Sequence, residues 1–188
     1  MGLTSEERLR AITVGGPAPL KGRVQLVEYD LHWPQLFARE AGWLRAALGR
    51  RAVRVEHAGS TSVPGLAAKP IIDIVLVVAD SADEPAYLPA LETAGYLLRI
   101  REPDWEQHRM LVRADTDVHV HVFSVGSPEV DRMLAFRDRL RGDDTDRQLY
   151  ERTKRELAAR EWTYVQHYAD GKTAVVEDIL TRARRSPT

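Results

Sequence analysis

Apolar residues recur along the chain with two different spacings, and each spacing predicts a type of secondary structure. Residues 34–48 carry apolar side chains at three- and four-residue intervals and are followed by Gly49, which predicts an amphipathic helix. Residues 71–78 form an almost unbroken run of aliphatic side chains, interrupted by Asp73, which is typical of a strand buried on both faces. Residues 53–57 alternate polar and apolar side chains and predict a short strand beside it.

The rest of the pattern divides the chain into a sheet-forming part and a helical part. The predicted strands are 96–101, 109–113 and 118–123, and the predicted helices are 82–93, 128–142, 143–160 and a last one from 173. This order predicts an α+β fold, with a small mixed β-sheet, flanking helices and a helical C-terminal third. We assign residues 23–188 to a single domain. Residues 1–22 contain several Gly and Pro residues, which predicts an N-terminal arm or flexible leader.

Composition narrows the class of protein without identifying it. The 188 residues include 27 Lys and Arg against 28 Asp and Glu, so the net charge of −1 gives no general attraction for nucleic acid or an anionic membrane. The absence of cysteine excludes disulfides, thiolate catalysis and Cys-ligated zinc. No stretch approaches the ~20 apolar residues that span a bilayer, and the first residues have no signal-peptide pattern. We therefore expect a cytoplasmic protein without a membrane partner, and the pattern leaves its oligomeric state open.

Residues that could bind a ligand or take part in a reaction are concentrated where a Gly/Ser turn leads into the buried strand. Gly59 allows a tight turn and the close approach of a ligand. The hydroxyls of Ser60, Thr61 and Ser62, with successive backbone N–H groups, predict a concave site for an anion such as phosphate. Asp73 is costly to bury alone, so it should be paired, hydrogen-bonded or bound to a metal. Gly/Ser turns and strand-end carboxylates also occur without any ligand.

Two histidines in a later predicted strand share one face. His119 and His121 alternate with valines, so both side chains project in the same direction. Together with Asp73 they would form a metal site of two imidazoles and one carboxylate. They could instead contact phosphate oxygens, act as general acid and base near neutral pH, or form a solvated pair without a role in a site. Lys69, before the Asp73 strand, and Arg109, at the start of a predicted strand, are candidates to bind an anion.

The run GSTSVPGL at 59–66, followed by KPIIDI at 69–74, resembles the signature of the GrpB family. Further segments resemble that family, so that the resemblance extends over residues 23–182: VEYD at 27–30, Trp33 with Pro34, HVHV at 119–122, FRD at 136–138, and Tyr150 with Lys154. The family is placed in the nucleotidyltransferase superfamily, whose fold is shared with DNA polymerase β. The resemblance therefore implies a nucleotidyltransferase-like fold. It also implies that Arg137, Tyr150, Lys154 and Lys172 are candidates to cap the pocket, and Arg137 and Lys154 among them are candidates to bind phosphate.

The superfamily resemblance implies a Gly/Ser turn that holds a nucleotide triphosphate and carboxylates that bind divalent metal ions, usually Mg²⁺ or Mn²⁺. This chain retains Gly59, Ser60 and Asp73 for those roles. It departs from the pattern two residues after Asp73, where Val75 replaces a second carboxylate. The later strand offers histidines in place of a third carboxylate, so a transition metal is an alternative.

These observations predict a metal-assisted, nucleotidyltransferase-like enzyme that acts on a nucleotide or another phosphorylated small molecule. The occurrence of the family fused to dephospho-CoA kinase implies a substrate linked to nucleotide or coenzyme metabolism. Two alternatives stay open. Because Val75 replaces a carboxylate, the domain could bind a nucleotide without turnover, as an accessory module. A His/Asp metal site could also support an enzyme of another reaction class.

Overall fold

The computed structural model of the protein describes residues 2–113 and 115–185. These residues form seven α-helices: α1 (Glu6–Ile12), α2 (Trp33–Leu48), α3 (Leu88–Thr93), α4 (Pro128–Gly142), α5 (Asp144–Ala158), α6 (Val165–Gly171) and α7 (Thr173–Arg185). They also form five strands: β1 (Arg54–Ala58), β2 (Ile72–Val78), β3 (Tyr96–Glu102), β4 (His108–Arg113) and β5 (Thr116–Ser124). The predicted α+β class with a helical C-terminal third is confirmed. Across these described ranges, the helices are all too short or too polar to span a bilayer.

The five strands form one mixed sheet in the order β1-β2-β5-β4-β3. The central pair β2–β5 is parallel, and the other three pairs are antiparallel. In the central pair, Asp73 lies opposite His119 and Val75 lies opposite His121. Because side chains alternate along a strand, all four of these residues project from the same face of the sheet.

The opposite face of the sheet holds the main hydrophobic core. Helices α2 and α3 cover it, and their Leu44 and Leu91 are fully buried. The core residues contributed by the two central strands are Ile72, Ile74, Leu76, Val78, Val118, Val120 and Val122. This arrangement explains why the sequence of β2 is so apolar: one half of its side chains belongs to this core.

The face that carries Asp73 is covered only in part. At one end, Val75, Val77 and Phe123 pack against Val130 and Leu134 of α4. The remainder of this face lines a cavity of about 600 Å³, which also contacts the N-terminal segment and α6. The open part of this face therefore carries the polar side chains of Asp73, His119 and His121, together with some apolar side chains such as Met110.

The N-terminal segment, predicted as an arm or flexible leader over 1–22, packs in part against the sheet and in part against the region of α6. Its helix α1 buries Leu9 and Ile12, which are 4% and 6% exposed. The segment is also held through its backbone: the N–H of Val14 donates to Arg99 O of β3, at 2.9 Å, and Thr13 forms a β-bridge with Ile100. The apolar residues of α1 are thus part of a cavity wall, and residue 1 lies outside the described residues.

Two further helical elements differ from the prediction. The helix predicted over 82–93 is a 3₁₀ turn, Glu84–Ala86, followed by the short α3. Pro85 and Pro89 explain the interruption, because proline has no backbone N–H to donate within a helix. Helix α6, which was not predicted, contributes Tyr168 to a small hydrophobic cluster with Val24 and Leu157.

Candidate functional site

The three predicted metal-ligand candidates converge at the cavity. Asp73, His119 and His121 each offer a ligand atom, and these atoms lie within 4.8 Å of one another. Oδ1 of Asp73 lies 3.6 Å from Nδ1 of His119 and 3.6 Å from Nε2 of His121. The three side chains are between 21% and 30% exposed, so a ligand from solvent can reach them.

Gly59 is required by the position of Asp73. It has a φ of +65°, a left-handed conformation that glycine adopts without steric cost. A Cβ atom at this position would lie 2.2 Å from Oδ2 of Asp73, far inside van der Waals contact. The predicted turn glycine therefore allows the carboxylate to lie directly against the turn backbone.

A hydrogen-bonded chain orients His121. Nδ1 of His108 contacts Oε2 of Glu102 at 2.8 Å, and Nε2 of His108 contacts Nδ1 of His121 at 3.0 Å. Burial lowers the pKa of His108, while Glu102 opposes this shift, and the net direction is downward. A neutral His108 that donates from Nδ1 to the carboxylate has an acceptor at Nε2, so His121 donates from Nδ1. In the neutral form of His121, Nε2 then presents a lone pair toward Asp73.

This arrangement of lone pairs fits a cation. With Nε2 of His121 unprotonated, it and Oδ1 of Asp73 face each other as two electron-rich atoms, which a shared cation would stabilise. Burial raises the pKa of Asp73, but a hydrogen bond from protonated His121, with the positive charges of His121, His119 and Lys172, lowers it more strongly, so the net direction is downward. A bound cation would take the place of that proton between Nε2 of His121 and Oδ1 of Asp73. Two imidazoles and one carboxylate suit Mn²⁺, Fe²⁺ or Zn²⁺ better than Mg²⁺, which prefers oxygen ligands.

The position of the missing carboxylate is part of the packed interior. Val75 is fully buried and belongs to the cluster with Val77 and Phe123 beneath α4. A carboxylate at this position would lose its hydration within an apolar cluster. The apolar residue at this position is therefore explained by packing, and the cluster at the cavity has one carboxylate.

Three lysines line the cavity together with this cluster: Lys69, Lys154 and Lys172. Burial and the charge of Lys172 both lower the pKa of Lys69, and the same two causes lower that of Lys154 to about 7. Nζ of Lys154 donates a short hydrogen bond to Ala67 O. The mutual repulsion of these ammonium groups would be relieved by an anion, so this end of the cavity is suited to phosphate.

The hydroxyl groups of the turn differ in what they can do. Ser60 lines the cavity, in agreement with its predicted position. Thr61 also borders the cavity, but its Oγ1 donates to Ile71 O at 3.1 Å and contacts Nε2 of His57 at the same distance. Oγ of Ser62 donates to Gly59 O at 2.5 Å. The hydroxyls of Thr61 and Ser62 therefore stabilise the turn, and Ser60 is the residue of the three whose hydroxyl is placed to meet a ligand.

Two predicted anion-binding arginines are engaged elsewhere. Arg109 pairs with Val122 in the sheet, so its side chain projects from the core face, opposite to His121. Its Nε donates to Glu84 at 2.6 Å, and it does not line the cavity. The prediction of an anion clamp at Arg109 is corrected by this strand register. Arg137 borders a smaller adjoining cavity of about 200 Å³, but its guanidinium bonds to Glu56 and to the carbonyl of His57.

Several residues of the cavity were not part of the predicted site, and Lys172 was predicted only as a candidate to cap the pocket. Lys172 follows α6 directly, and it contacts the ring of Tyr168 at 4.8 Å from the centroid. His108 was available to parity reasoning, because it lies one residue before Arg109 and so on the other face of β4. Leu9 and Ile12 also line the cavity, and the sequence around them shows only a short amphipathic pattern, which does not indicate a role in a site.

The fold and site define an α+β protein with a His/His/Asp cluster beside a cationic cavity. Residues 23–182 match the family described as GrpB protein. A UPF0157 protein of Halalkalibacterium halodurans is 57% identical over 95% of this chain and 92% of its own length. The crystal structure of conserved protein GrpB from Enterococcus faecalis aligns with a TM-score of 0.75 and 32% identity, over 86% of this chain and 98% of that one. The chain belongs to the GrpB family.

Some relatives carry a name that states an activity, dephospho-CoA kinase. A dephospho-CoA kinase of Mycolicibacterium paratuberculosis is 31% identical over 85% of this chain, and the match spans 46% of that longer protein.

Proposed function

We propose that this protein is a metal-dependent, nucleotidyltransferase-like enzyme that acts on a nucleotide or another phosphorylated small molecule. The observation that carries the proposal is the convergence of Asp73, His119 and His121 at the wall of a cavity that three lysines also line. Ligands for a cation and donors for an anion lie side by side there. That combination is what transfer of a phosphoryl or nucleotidyl group requires.

Asp73, His119 and His121 would hold one divalent metal ion, with Mn²⁺ or another transition metal favoured over Mg²⁺ by the two imidazoles. Such an ion, when bound, supplies a Lewis acid that neutralises charge on a phosphate group. The Glu102–His108 pair keeps the proton of neutral His121 on Nδ1, so that Nε2, which faces the carboxylate, is free to bind the metal ion.

The chain's own groups would position the phosphates. Gly59 lets a ligand approach the turn backbone, and the Ser60 hydroxyl is placed to donate to a phosphate oxygen. Lys69, Lys154 and Lys172 would neutralise its negative charge as point cations. Bound phosphate would also favour the protonated form of Lys154, whose pKa of about 7 leaves it partly neutral in the free protein.

The proposal is tested by a thermal-shift and turnover screen with nucleoside triphosphates, each with and without Mn²⁺, Mg²⁺ or Zn²⁺. We expect a triphosphate with Mn²⁺ to raise the unfolding midpoint by several degrees, because a ligand at 100 times its Kd stabilises by about 2.7 kcal/mol. We also expect pyrophosphate release that depends on the metal. Asp73→Asn should abolish both effects.

Asp131→Asn is the matched control, because Asp131 is exposed on α4 and does not border the cavity. It should leave both the shift and the turnover unchanged. Turnover that Asp73→Asn leaves intact would end the proposal.

A second candidate function is supported by the burial of Val75. With one carboxylate in the cluster, the protein could bind a nucleotide as an accessory module and not turn it over. Nucleotide binding that persists in Asp73→Ala, with no turnover in either protein, would favour this candidate. Metal binding without any effect of nucleotides would instead favour a His/Asp metal enzyme of another reaction class.

A further inference from the structure

The cavity beside the metal-ligand cluster has two chemically different ends. The end at Asp73 is polar and carries the lysines. The other end is walled largely by apolar side chains that come from three separate parts of the chain: Leu9, Ile12, Ile100, Met110, Tyr164 and Tyr168. A site for phosphate alone would have no need of this second end.

The N-terminal segment builds one wall of the apolar end, and it is fixed at several points. Thr13 and Val14 join it to β3 through backbone contacts. At its start, the N–H of Thr4 donates to Oδ2 of Asp170 in α6, at 2.7 Å, and farther on the N–H of Leu20 donates to Thr163 O at 2.9 Å. The segment thus bridges the sheet edge and α6, and it forms one wall of the apolar end.

The two ends are continuous with each other. Lys172 lies over the ring of Tyr168, at 4.8 Å from its centroid, so the cationic end passes directly into the aromatic wall. On the sheet, Met110 lies opposite His121 and projects from the same face. A molecule with its phosphates at the lysines would therefore extend its remaining part over Met110 and along Tyr168.

The size and lining of the cavity indicate what that remaining part is. About 600 Å³ lies within the range of sites that enclose an organic ligand. Arg99, half-buried, is the charged side chain at the apolar end and could meet a hydrogen-bond acceptor. Apolar and aromatic walls with a few such donors, which include Thr13 and Gln166, suit a planar or aliphatic group better than a bare phosphate or a small polar one.

We propose that the apolar end binds the organic part of the substrate, so that the substrate is a phosphorylated molecule with a planar or aliphatic body. This inference rests on the proposed function for the phosphate end. It assigns a specificity-determining role to the N-terminal segment and to β3, β4 and α6.

The experiment compares matched ligands by calorimetric titration of the full chain in the presence of Mn²⁺. ATP and UTP are compared with inorganic triphosphate, and isopentenyl diphosphate is compared with inorganic diphosphate. We expect at least one of the organic ligands to bind on the order of 10- to 100-fold more tightly than its inorganic counterpart, because its body removes apolar surface from water. The pair with the larger ratio identifies the body as planar or aliphatic.

Variants of the apolar end give the second readout. Ile100→Asn should weaken the organic ligand by roughly tenfold and leave the inorganic one unchanged, since the lost contact is with the body alone. Leu97→Asn, on the same strand but exposed and outside the cavity lining, is the matched control and should change neither affinity. Met110→Ser gives the same test at a half-buried position if Ile100→Asn does not fold.

The outcomes separate the two proposals. If organic and inorganic ligands bind equally, or if the variants weaken both alike, the inference is overturned while the phosphate site stands. If no phosphate compound binds at all, the proposed function fails and the inference fails with it.

Discussion

The two faces of the sheet use the same strands for different purposes. On the face toward α2 and α3, Ile74, Leu76 and Val120 are fully buried in the main core. On the other face, Asp73 and His119, which directly precede Ile74 and Val120 along β2 and β5, line an open cavity. Because side chains alternate between the two faces of a strand, the same strand can stabilise the core with one face and present metal ligands on the other. Substitutions on the two faces should therefore have separable effects on stability and on ligand binding.

Histidines illustrate the same contrast. His57 projects toward the core face, where it stacks on Phe37 with ring centroids 4.7 Å apart, and it is 7% exposed. Burial, together with the positive charges of Arg141 and Arg137, lowers its pKa to about 4 although Asp73 opposes the shift. His119 and His121, on the cavity face, are reachable from solvent and aligned with a carboxylate. The first is a packed neutral ring, whereas the other two are available for a ligand.

The largest effect on stability should come from the core face. Leu76→Ala removes a fully buried side chain and should lower the free energy of unfolding by about 2–5 kcal/mol. Met110→Ala, at a half-buried position of the cavity face, should cost clearly less. Urea denaturation of both variants measures the difference. An equal loss for the two would contradict the division between a stabilising face and a ligand face.

Gly59→Ala should affect both stability and the site. The new Cβ would contact Asp73, and the left-handed φ adds strain, so we expect a loss of roughly 2–3 kcal/mol together with a loss of metal binding. Gly65→Ala is the matched control: its φ is +76°, but a Cβ there meets nothing within 4 Å. It should cost about 1–2 kcal/mol from strain and leave metal affinity intact. Comparable metal affinities in the two variants would refute the role given to Gly59.

The lowered pKa of the buried His57 sets the direction in which stability changes with pH. Between its ordinary pKa of 6.5 and about 4, the unfolded chain binds a proton at His57 that the folded chain does not. The free energy of unfolding should therefore fall as the pH falls through this window, by roughly 2 kcal/mol between pH 7 and pH 5 from this residue. His108 and His119, whose pKa values are also lowered by burial, act in the same direction.

His57→Gln tests this assignment, because glutamine retains a hydrogen-bonding group near Thr61 and has no titrating ring. Chemical denaturation at pH 7 and pH 5 should show a smaller loss in the variant than in the wild type. An unchanged pH dependence would assign the effect to the other histidines.

The smallest of these effects concerns orientation of His121. His108→Phe retains the stacking on Phe123 but removes the hydrogen bond to His121, so metal affinity should fall by about 10- to 100-fold. Trp105→Phe, which changes a neighbour of the same ring without touching the hydrogen-bonded chain, is the control. If His108→Phe binds metal as tightly as the wild type, the Glu102–His108 pair has no positioning role.

Much of the cavity face could be predicted from the sequence, because the side chains of a strand alternate between its two faces. Period two in the two central strands was enough to predict that His119 and His121 share a face, and the isolated Asp73 indicated a polar site on its strand. The parallel register of β2 and β5 then brings the three together. Helices α4, α5 and α7 followed from their apolar spacing in the same way, whereas α6 was not predicted.

Other features depend on contacts that no local pattern encodes. Arg109 and His121 face opposite sides because of the register between β4 and β5, which also contains a shift near Arg113. The N-terminal segment is ordered by contacts with β3 and α6, more than eighty residues away in the chain. Such contacts decide the shape of the cavity, and so the sequence predicted its polar end better than its apolar end.

The central claim is that Asp73, His119 and His121 form a metal site on the open face of the sheet. The most direct measurement is equilibrium dialysis of the metal-free protein against Mn²⁺ and Zn²⁺, with the bound metal quantified per chain. We predict one ion per chain for the wild type, and loss of that ion in Asp73→Asn and in the double variant His119→Ala/His121→Ala, with the folded state retained in both. Absence of bound metal in the wild type, or equal binding in the variants, would contradict the claim.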